Sequence, residues 1–327
     1  MRGRALPELS KNGERFAPTC TVVICTRDRP QQLTGCLQAV QRLVYPRFDV
    51  LVVDNAPNNP QAREVARRRG ARYIVEPVIG VSHARNRGAR ACETEIVAYL
   101  DDDAIPEPGW LSGLASEFKD PAVMAVSGRI LPTRVETEAE CWCQLVGGFD
   151  LGEERWAVDR QNPDWFALVN FSGMGNEANM ALRRRAFDLW PGFNERLGRG
   201  TIMQAAEGSH ALFSLVARGY RAIYSPQAVV RHPFPRSMDE LRTRHLRELA
   251  AATAYFTMLV TEEPGHRRAT LQYVVEALRG TRRPWRKLAP GLRPRIVPRW
   301  RKLIAYLSGP LLYARSRLAR PPGLRRP

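Results

Sequence analysis

Between residues 20 and 127 of this 327-residue chain, short apolar runs alternate with stretches in which apolar positions recur every three or four residues. Cys20-Thr-Val-Val-Ile-Cys25, Val50-Leu-Val-Val53, Arg72-Tyr-Ile-Val75, Ile96-Val-Ala-Tyr-Leu100 and Ala122–Ser127 read as strands. Nearly continuous apolar runs of that length suit strands buried on both faces. Leu33, Leu37, Val40 and Leu43 put an apolar stripe on a helix that opens at Pro30 and ends near Tyr45 and Pro46. Further helices are expected over 62–69, from Gly80 to about Cys92, and over 111–118. This β-α alternation with short connections predicts a doubly wound, mostly parallel sheet.

Past residue 127 the pattern changes. Residues 128–174 carry few periodic runs but hold Trp142, Phe149, Trp156, Trp165, Phe166 and Phe171, the composition of a binding loop or lid. A strand over Asn179–Leu182, a helix starting at Arg183, a helix from Glu207 to Ala217 closed by Gly219, and two last strands, Tyr220–Tyr224 and Ala228–His232, follow. From Ser237 the chain reads as helical: Ser237 and Glu240 form a capping-box signature, and helices are expected over His266–Arg279 and Trp300–Arg317. The organisation read from this pattern is a lead-in over 1–18, a domain over 19–235 with halves 19–127 and 128–235, and a helical basic extension over 236–327.

Charge sharpens that division. The chain is 44% hydrophobic and carries a formal net charge of +17, yet residues 231–327 hold 22 Lys+Arg against 6 Asp+Glu, so the preceding 230 residues are close to neutral. After Glu276 there is no acid, and Trp285, Trp300, Leu303, Ile304, Tyr306, Leu311, Leu312 and Tyr313 are interleaved with arginines. Apolar anchors among cations suit an amphipathic segment on an anionic membrane surface. Nucleic-acid binding is the lesser alternative, because no zinc finger, basic zipper or aromatic RNA-binding motif accompanies the charge. No nucleic acid is therefore expected as a partner. The six cysteines are scattered, some within apolar runs, which suits a reducing compartment; no signal peptide is evident and no apolar run reaches the ~18–20 residues of a membrane span.

The chemistry concentrates at strand ends. Asp101, Asp102 and Asp103 follow the 96–100 strand directly, Asp54 ends the second strand and Thr26 the first. Right-handed crossovers bring these ends to one edge, where ligands of open α/β sheets bind. Three adjacent carboxylates are costly there unless a cation or ligand donors offset them.

Five stretches in this order resemble the family-2 glycosyltransferases, in the inverting, nucleotide-sugar-dependent branch of the GT-A fold. They are Val22-Val-Ile-Cys-Thr26-Arg-Asp-Arg-Pro30, Val52-Val-Asp54-Asn55, Gly80-Val-Ser-His-Ala-Arg85-Asn86-Arg-Gly88, Leu100-Asp-Asp-Asp103 with Pro108-Gly-Trp-Leu111, and Gly175-Asn-Glu-Ala-Asn-Met180 with Pro191-Gly-Phe193. The resemblance covers roughly residues 20–235. It implies a Rossmann-like GT-A domain, with a mostly parallel central sheet flanked by helices, bearing the basic extension. It further implies that Thr26, Arg27, Asp54, Arg85, Asn86, Asp101 and Asp102 meet the donor nucleotide. Asp103, with Asp101 and His232, would hold a divalent cation, Mn2+ or Mg2+, at the diphosphate; a histidine satisfied at a strand end is the alternative for His232. Trp156 and Trp165 are placed in the acceptor wall from their position and the affinity of sugars for aromatic faces.

One position departs from the family pattern. Where it commonly has Glu-Asp at a helix start, the Asp acting as base toward the acceptor hydroxyl, this chain has Glu207 and Gly208. Three readings follow: Glu207 is the base, His210 is the base, or activity is lost and the protein only binds a nucleotide sugar or glycan. Glu207 is favoured as a helix-start carboxylate beside the cleft, although it could simply stabilise the helix N-terminus. The expected partners are a nucleotide-sugar donor, a glycan or lipid-linked acceptor and an anionic membrane surface. The expected setting is polysaccharide, glycolipid or cell-surface glycan assembly at the cytoplasmic face of a membrane.

Overall fold

The computed structural model describes residues 16–145, 148–279 and 296–319. Most of the expected lead-in, and residues 280–295 and 320–327 of the basic extension with Trp285 among them, lie outside the described residues. The first half alternates as its pattern predicts: β1 Cys20–Thr26, α1 Pro30–Val40, β2 Phe48–Asn55, α2 Gln61–Arg68, β3 Arg72–Glu76, α3 Val81–Arg90 and β4 Ile96–Asp101. Then come β5 Ile105–Pro106, α4 Trp110–Ala115, β6 Val123–Pro132, α5 Glu138–Leu145, β7 Trp156–Val158, α6 Trp165–Phe171, β8 Asn179–Arg183, α7 Ala186–Leu189 and α8 Glu207–Ala217. The long strand β9 Arg221–His232 precedes the helices α9 Met238–Glu262, α10 Arg267–Arg279 and α11 Arg299–Leu318.

The nine strands form one sheet in the order β3-β2-β1-β4-β8-β6-β9-β5, with β7 also on β9. The β3-β2-β1-β4 side is parallel, whereas β8 runs antiparallel between β4 and β6. Alternation along the strands feeds two apolar layers, as a period of two requires. Val22, Ile24, Val52, Ala98 and Leu100 meet Leu33, Leu37, Trp110 and Phe118 on one face. On the other, Val23, Val53, Val97 and Tyr99 meet Ala84, Phe193, Leu212 and Phe213. Helix α3 sits close against the sheet: a Cβ at Gly88 would lie 2.6 Å from Val23 Cγ1, so only glycine permits this approach.

Three expectations are corrected. The two final strands are one, because β9 continues through residues 226–228, where its register against β6 shifts between Gly128 and Arg129. Pro226 interrupts the sequence pattern, but the strand bulges rather than stops. Residues 128–174 hold more regular structure than their pattern suggests: β6 extends to Pro132, and α5, β7 and α6 follow, joined by loops. The helix expected at Arg183 starts at Ala186, since Arg183 ends β8 and its guanidinium donates to the Phe118, Asp120 and Val123 carbonyls.

Asn179 locks the centre of the sheet. Its amide donates to the Arg129 and Ala228 carbonyls at 2.9 and 2.8 Å, satisfying backbone freed by the β9 bulge, and its oxygen accepts from Trp110 Nε1 at 2.7 Å. In the C-terminal region Ser237 caps α9, accepting from the Glu240 amide as its sequence signature predicts. Helix α11 packs on α9 at Gly309, where a Cβ would collide with Thr253. Its outward face presents Trp300, Leu303, Ile304, Leu307, Leu311 and Leu318, each more than half exposed. Among the described residues no helix is long and apolar enough to cross a membrane.

Candidate active site

The carboxyl ends of β1, β2 and β4 lie side by side because the strands pair in parallel, with Thr26 opposite Asp54 and Cys25 opposite Asp101. They open onto a cavity of about 790 Å³ whose floor includes Thr26, Arg85 and Asp101–Asp103. The end of β9 contributes His232, and the turn before β8 contributes Glu177. Helix α9 supplies a further wall with Arg244, His245, Arg247 and Glu248.

Asp101, Asp103 and His232 converge, each offering one ligand atom within 4.8 Å of the others. His232 Nε2 stands 3.2 Å from Asp103 Oδ1 and 3.8 Å from Asp101 Oδ2. Burial opposes the charged form of Asp103, yet His232 and Arg29 outweigh it and hold the carboxyl well below its usual range. His232 is pulled the other way: burial disfavours its charged form, but Asp103 and Asp101 raise its pKa. Asp103 Oδ1 is buried without a well-directed hydrogen bond. Two carboxylates and an imidazole with an under-satisfied oxygen form a donor set that suits a divalent cation. Of the groups of three or more potential ligands among the described residues, this is the one that converges.

Arg29 holds the acidic turn in shape, donating to Asp102 Oδ1 and Asp103 Oδ2 at 2.6 Å each. It lies within the 22–30 stretch but was not a predicted site residue; only the fold brings it to the turn. Asp102 is buried and also accepts from Thr26 Oγ1 at 2.7 Å, so it ties β1 to β4. Burial raises its pKa to about 7 against the pull of Arg29 and Thr26. Asp54 is fully buried: Oδ2 accepts from Tyr73 at 2.8 Å, Oδ1 has no partner, and burial raises its pKa. Arg27 lines the cavity. Asn86 turns inward, exchanging hydrogen bonds with the backbone of Phe193, and therefore braces α3 against the following loop.

Arg85 is the cationic centre. Nη1 donates to Glu207 Oε1 at 2.8 Å and Nη2 lies 3.4 Å from Asp101 Oδ1, with the arginine side chain only 5% exposed. Burial would lower its pKa, but Glu177, Glu207 and Asp101 together raise it. Glu207 enters α8 from Ala206, which adopts a left-handed backbone at φ 73°, a conformation costly for a residue with a Cβ. The Gly208 N–H donates to Glu177 Oε1. A side chain at 208 would collide with that carboxylate and with the Gly175 carbonyl.

The fold does not bring every predicted residue to the cleft. His210 lies outside the cavity lining, between Phe213 and Tyr255, and burial lowers its pKa to about 4. Trp156 packs on Tyr224, and Trp165 stacks on Phe213 and meets His266, so neither lines the cavity. The aromatic that does reach it from 128–174 is Phe149, edge-on to His232 and under the Arg244 guanidinium.

Comparison with known proteins identifies the family. Residues 21–188 match the model of Glycosyl transferase family 2. A pre-mycofactocin glycosyltransferase of Mycobacterium tuberculosis is 31% identical over 154 residues, 47% of this chain and 30% of its own length. A glucosyl-dolichyl phosphate glucuronosyltransferase of Haloferax volcanii is 24% identical over 225 residues, 65% of this chain and 68% of its own. The chain thus spans under a third of the length of the mycobacterial relative. A mannosyltransferase from Pyrobaculum calidifontis, solved with GDP-Man and Mn2+, superposes with a TM-score of 0.54 at 20% identity, covering 93% of this chain and 74% of that one. At that identity the likeness concerns the fold.

Proposed function

The chain belongs to glycosyl transferase family 2, and from that premise we propose that it moves a sugar from a nucleotide-sugar donor to an acceptor hydroxyl with inversion. What carries this reading is the convergence of Asp101, Asp103 and His232 beside buried Arg85 at the carboxyl edge of the sheet. Thr26, Arg27 and Arg85 line the floor where a nucleoside diphosphate would lie, whereas Asp54 is buried behind it and held by Tyr73. A divalent cation, Mn2+ or Mg2+, would be held by Asp101, Asp103 and His232, and when bound supplies positive charge against the departing diphosphate. The mannosyltransferase neighbour, solved with a nucleotide sugar and Mn2+, is consistent with that pairing. Arg29 keeps the Asp102–Asp103 turn in its ligand-facing shape, and Arg85 offsets the carboxylates around it.

The exposed apolar face of α11 supports a second element, peripheral association with an anionic membrane. Its anchors recur at helical spacing and are flanked by Arg299, Arg301, Arg315 and Arg317, whose long side chains can reach headgroups while the anchors enter the interface. A glycan or lipid-linked acceptor at the cytoplasmic face of a membrane, in polysaccharide, glycolipid or cell-surface glycan assembly, would fit that placement.

A thermal-shift screen of UDP-, GDP- and dTDP-sugars with and without Mn2+ or Mg2+ tests the donor site. Cation-dependent stabilisation by one nucleotide class is expected, and no stabilisation by any would overturn the reading. Co-sedimentation with phosphatidylglycerol vesicles tests the surface, with a Leu303→Glu/Leu307→Glu variant expected to stay in the supernatant.

A further inference from the structure

The residue that should accept the acceptor's proton is missing from the helix start, yet a carboxylate occupies its place. We propose that Glu177, reaching in from the turn before β8, is the general base of this protein, standing where Gly208 leaves room. The inference rests on the glycosyltransferase reading above.

Three observations carry it. Glu177 lines the same cavity as Asp101, Asp103 and His232. Its Oε1 is fixed by the Gly208 N–H at the first turn of α8, and a side chain at 208 would collide with it, so the two features exclude one another in space. Because the Gly208 N–H engages Oε1, a hydroxyl in the cavity would give its proton at Oε2. Glu207 is differently placed, since its carboxylate is 7% exposed and bound to Arg85 at 2.8 Å. Its Oε1 is thus already taken by the Arg85 guanidinium.

The groups facing Glu177 are Glu207 on α8, Arg85 on α3 and Asp101 at the end of β4. Burial, then the charge of Glu207, raise the Glu177 pKa, with Arg85 opposing. A raised carboxyl is better matched to taking a proton near neutral pH than an ordinary one. In the step, the acceptor hydroxyl gives its proton to Glu177 as its oxygen bonds to the anomeric carbon. The bond from that carbon to the diphosphate oxygen breaks, and the electron pair leaves with the nucleoside diphosphate. Glu177 then returns the proton to solvent.

The test uses the full chain, Mn2+ and a panel of UDP- and GDP-sugars with water as the acceptor hydroxyl, reading both donor-induced thermal shift and nucleoside diphosphate release. Glu177→Gln keeps the shape and still accepts from Gly208. It is expected to retain the wild-type thermal shift while release falls on the order of 10²–10⁴-fold. The wild-type rate should rise with pH to a plateau, Glu177→Asp should keep a rising limb at reduced rate, and Glu177→Gln should lose it. Glu177→Gln turning over within threefold of wild type overturns the proposal, as does loss of donor binding in step with activity. Loss of the rising limb in Glu207→Gln but not in Glu177→Gln would assign the base to Glu207 instead. If wild type shows neither thermal shift nor release, the donor reading itself has failed and this assignment with it.

Discussion

Replacing Arg85 by Met should destabilise the protein more than replacing Glu207 by Gln, and by an amount that grows with pH. The pair is short, 2.8 Å, and its side chains are 5% and 7% exposed, so solvent screens it little. Removing one partner of such a pair costs about 3–5 kcal/mol, because the other charge is left buried and uncompensated. Glu207→Gln belongs near the lower end, about 3 kcal/mol, since Arg85 keeps Asp101 at 3.4 Å and Glu177 nearby. Arg85→Met belongs near the upper end, about 5 kcal/mol at pH 8, since it strips the cation from three carboxylates at once. Glu177 already sits above the ordinary carboxyl range, and losing Arg85 pushes it higher. Between its unfolded and folded pKa values the native state then binds a proton that the unfolded chain has released. Stability therefore falls as pH rises through that window, and the penalty shrinks on acidification toward the unfolded value. Urea denaturation of both variants at pH 5.5, 7 and 8.5 measures this. An Arg85→Met penalty smaller than that of Glu207→Gln, or one flat across pH, would refute the electrostatic account of the cluster.

Asp103→Asn should abolish stabilisation by Mn2+; at a hundredfold excess over Kd, wild type should gain about 2.7 kcal/mol, readable as a melting shift. Asn179→Ala should cost about 3 kcal/mol or more, because it orphans the Arg129 and Ala228 carbonyls and the Trp110 indole N–H together, whereas Trp110→Phe should give a smaller loss in the same denaturation assay. His210 is held neutral, with its pKa lowered to about 4 from 6.5, so the unfolded chain binds a proton there that the native state does not. The stability this represents is present above pH 6.5 and lost as pH falls toward 4, and His210→Phe should flatten that acid limb in midpoint measurements at pH 4–7.

The parallel half and its strand-end residues were legible because a period of two, β-branching and short crossovers all point the same way. Thr26, Asp54 and Asp101–Asp103 fall together for that reason alone. What the sequence hid depends on partners distant along the chain. Trp156 and Trp165 look like an exposed sugar platform, but Tyr224 and Phe213 give them apolar neighbours, and burial of so large a ring wins. Asn86, placed at the donor by its motif, is taken up by the Phe193 backbone 107 residues away. Gly208 read as a missing base, with Glu207 favoured in its stead, because the position was counted along one helix. The carboxylate that fills its space enters from a turn 31 residues earlier. Arg29 escaped notice because a lone arginine before a proline carries no signal of its own.

Helix α9 forms a wall of the cleft with Arg244 and Glu248, and farther along it seats α11 at Thr253 and Glu262. Its 25 residues make a spar of roughly 37 Å. Whatever grips α11 thereby sets the heading of the cleft as well as its position. On a bilayer, a lipid-linked acceptor would be sought over an area instead of a volume, and the rate would follow surface density rather than bulk concentration. Cutting α11 away would then leave chemistry on a water-soluble acceptor analogue intact, while the same enzyme fell silent on vesicles.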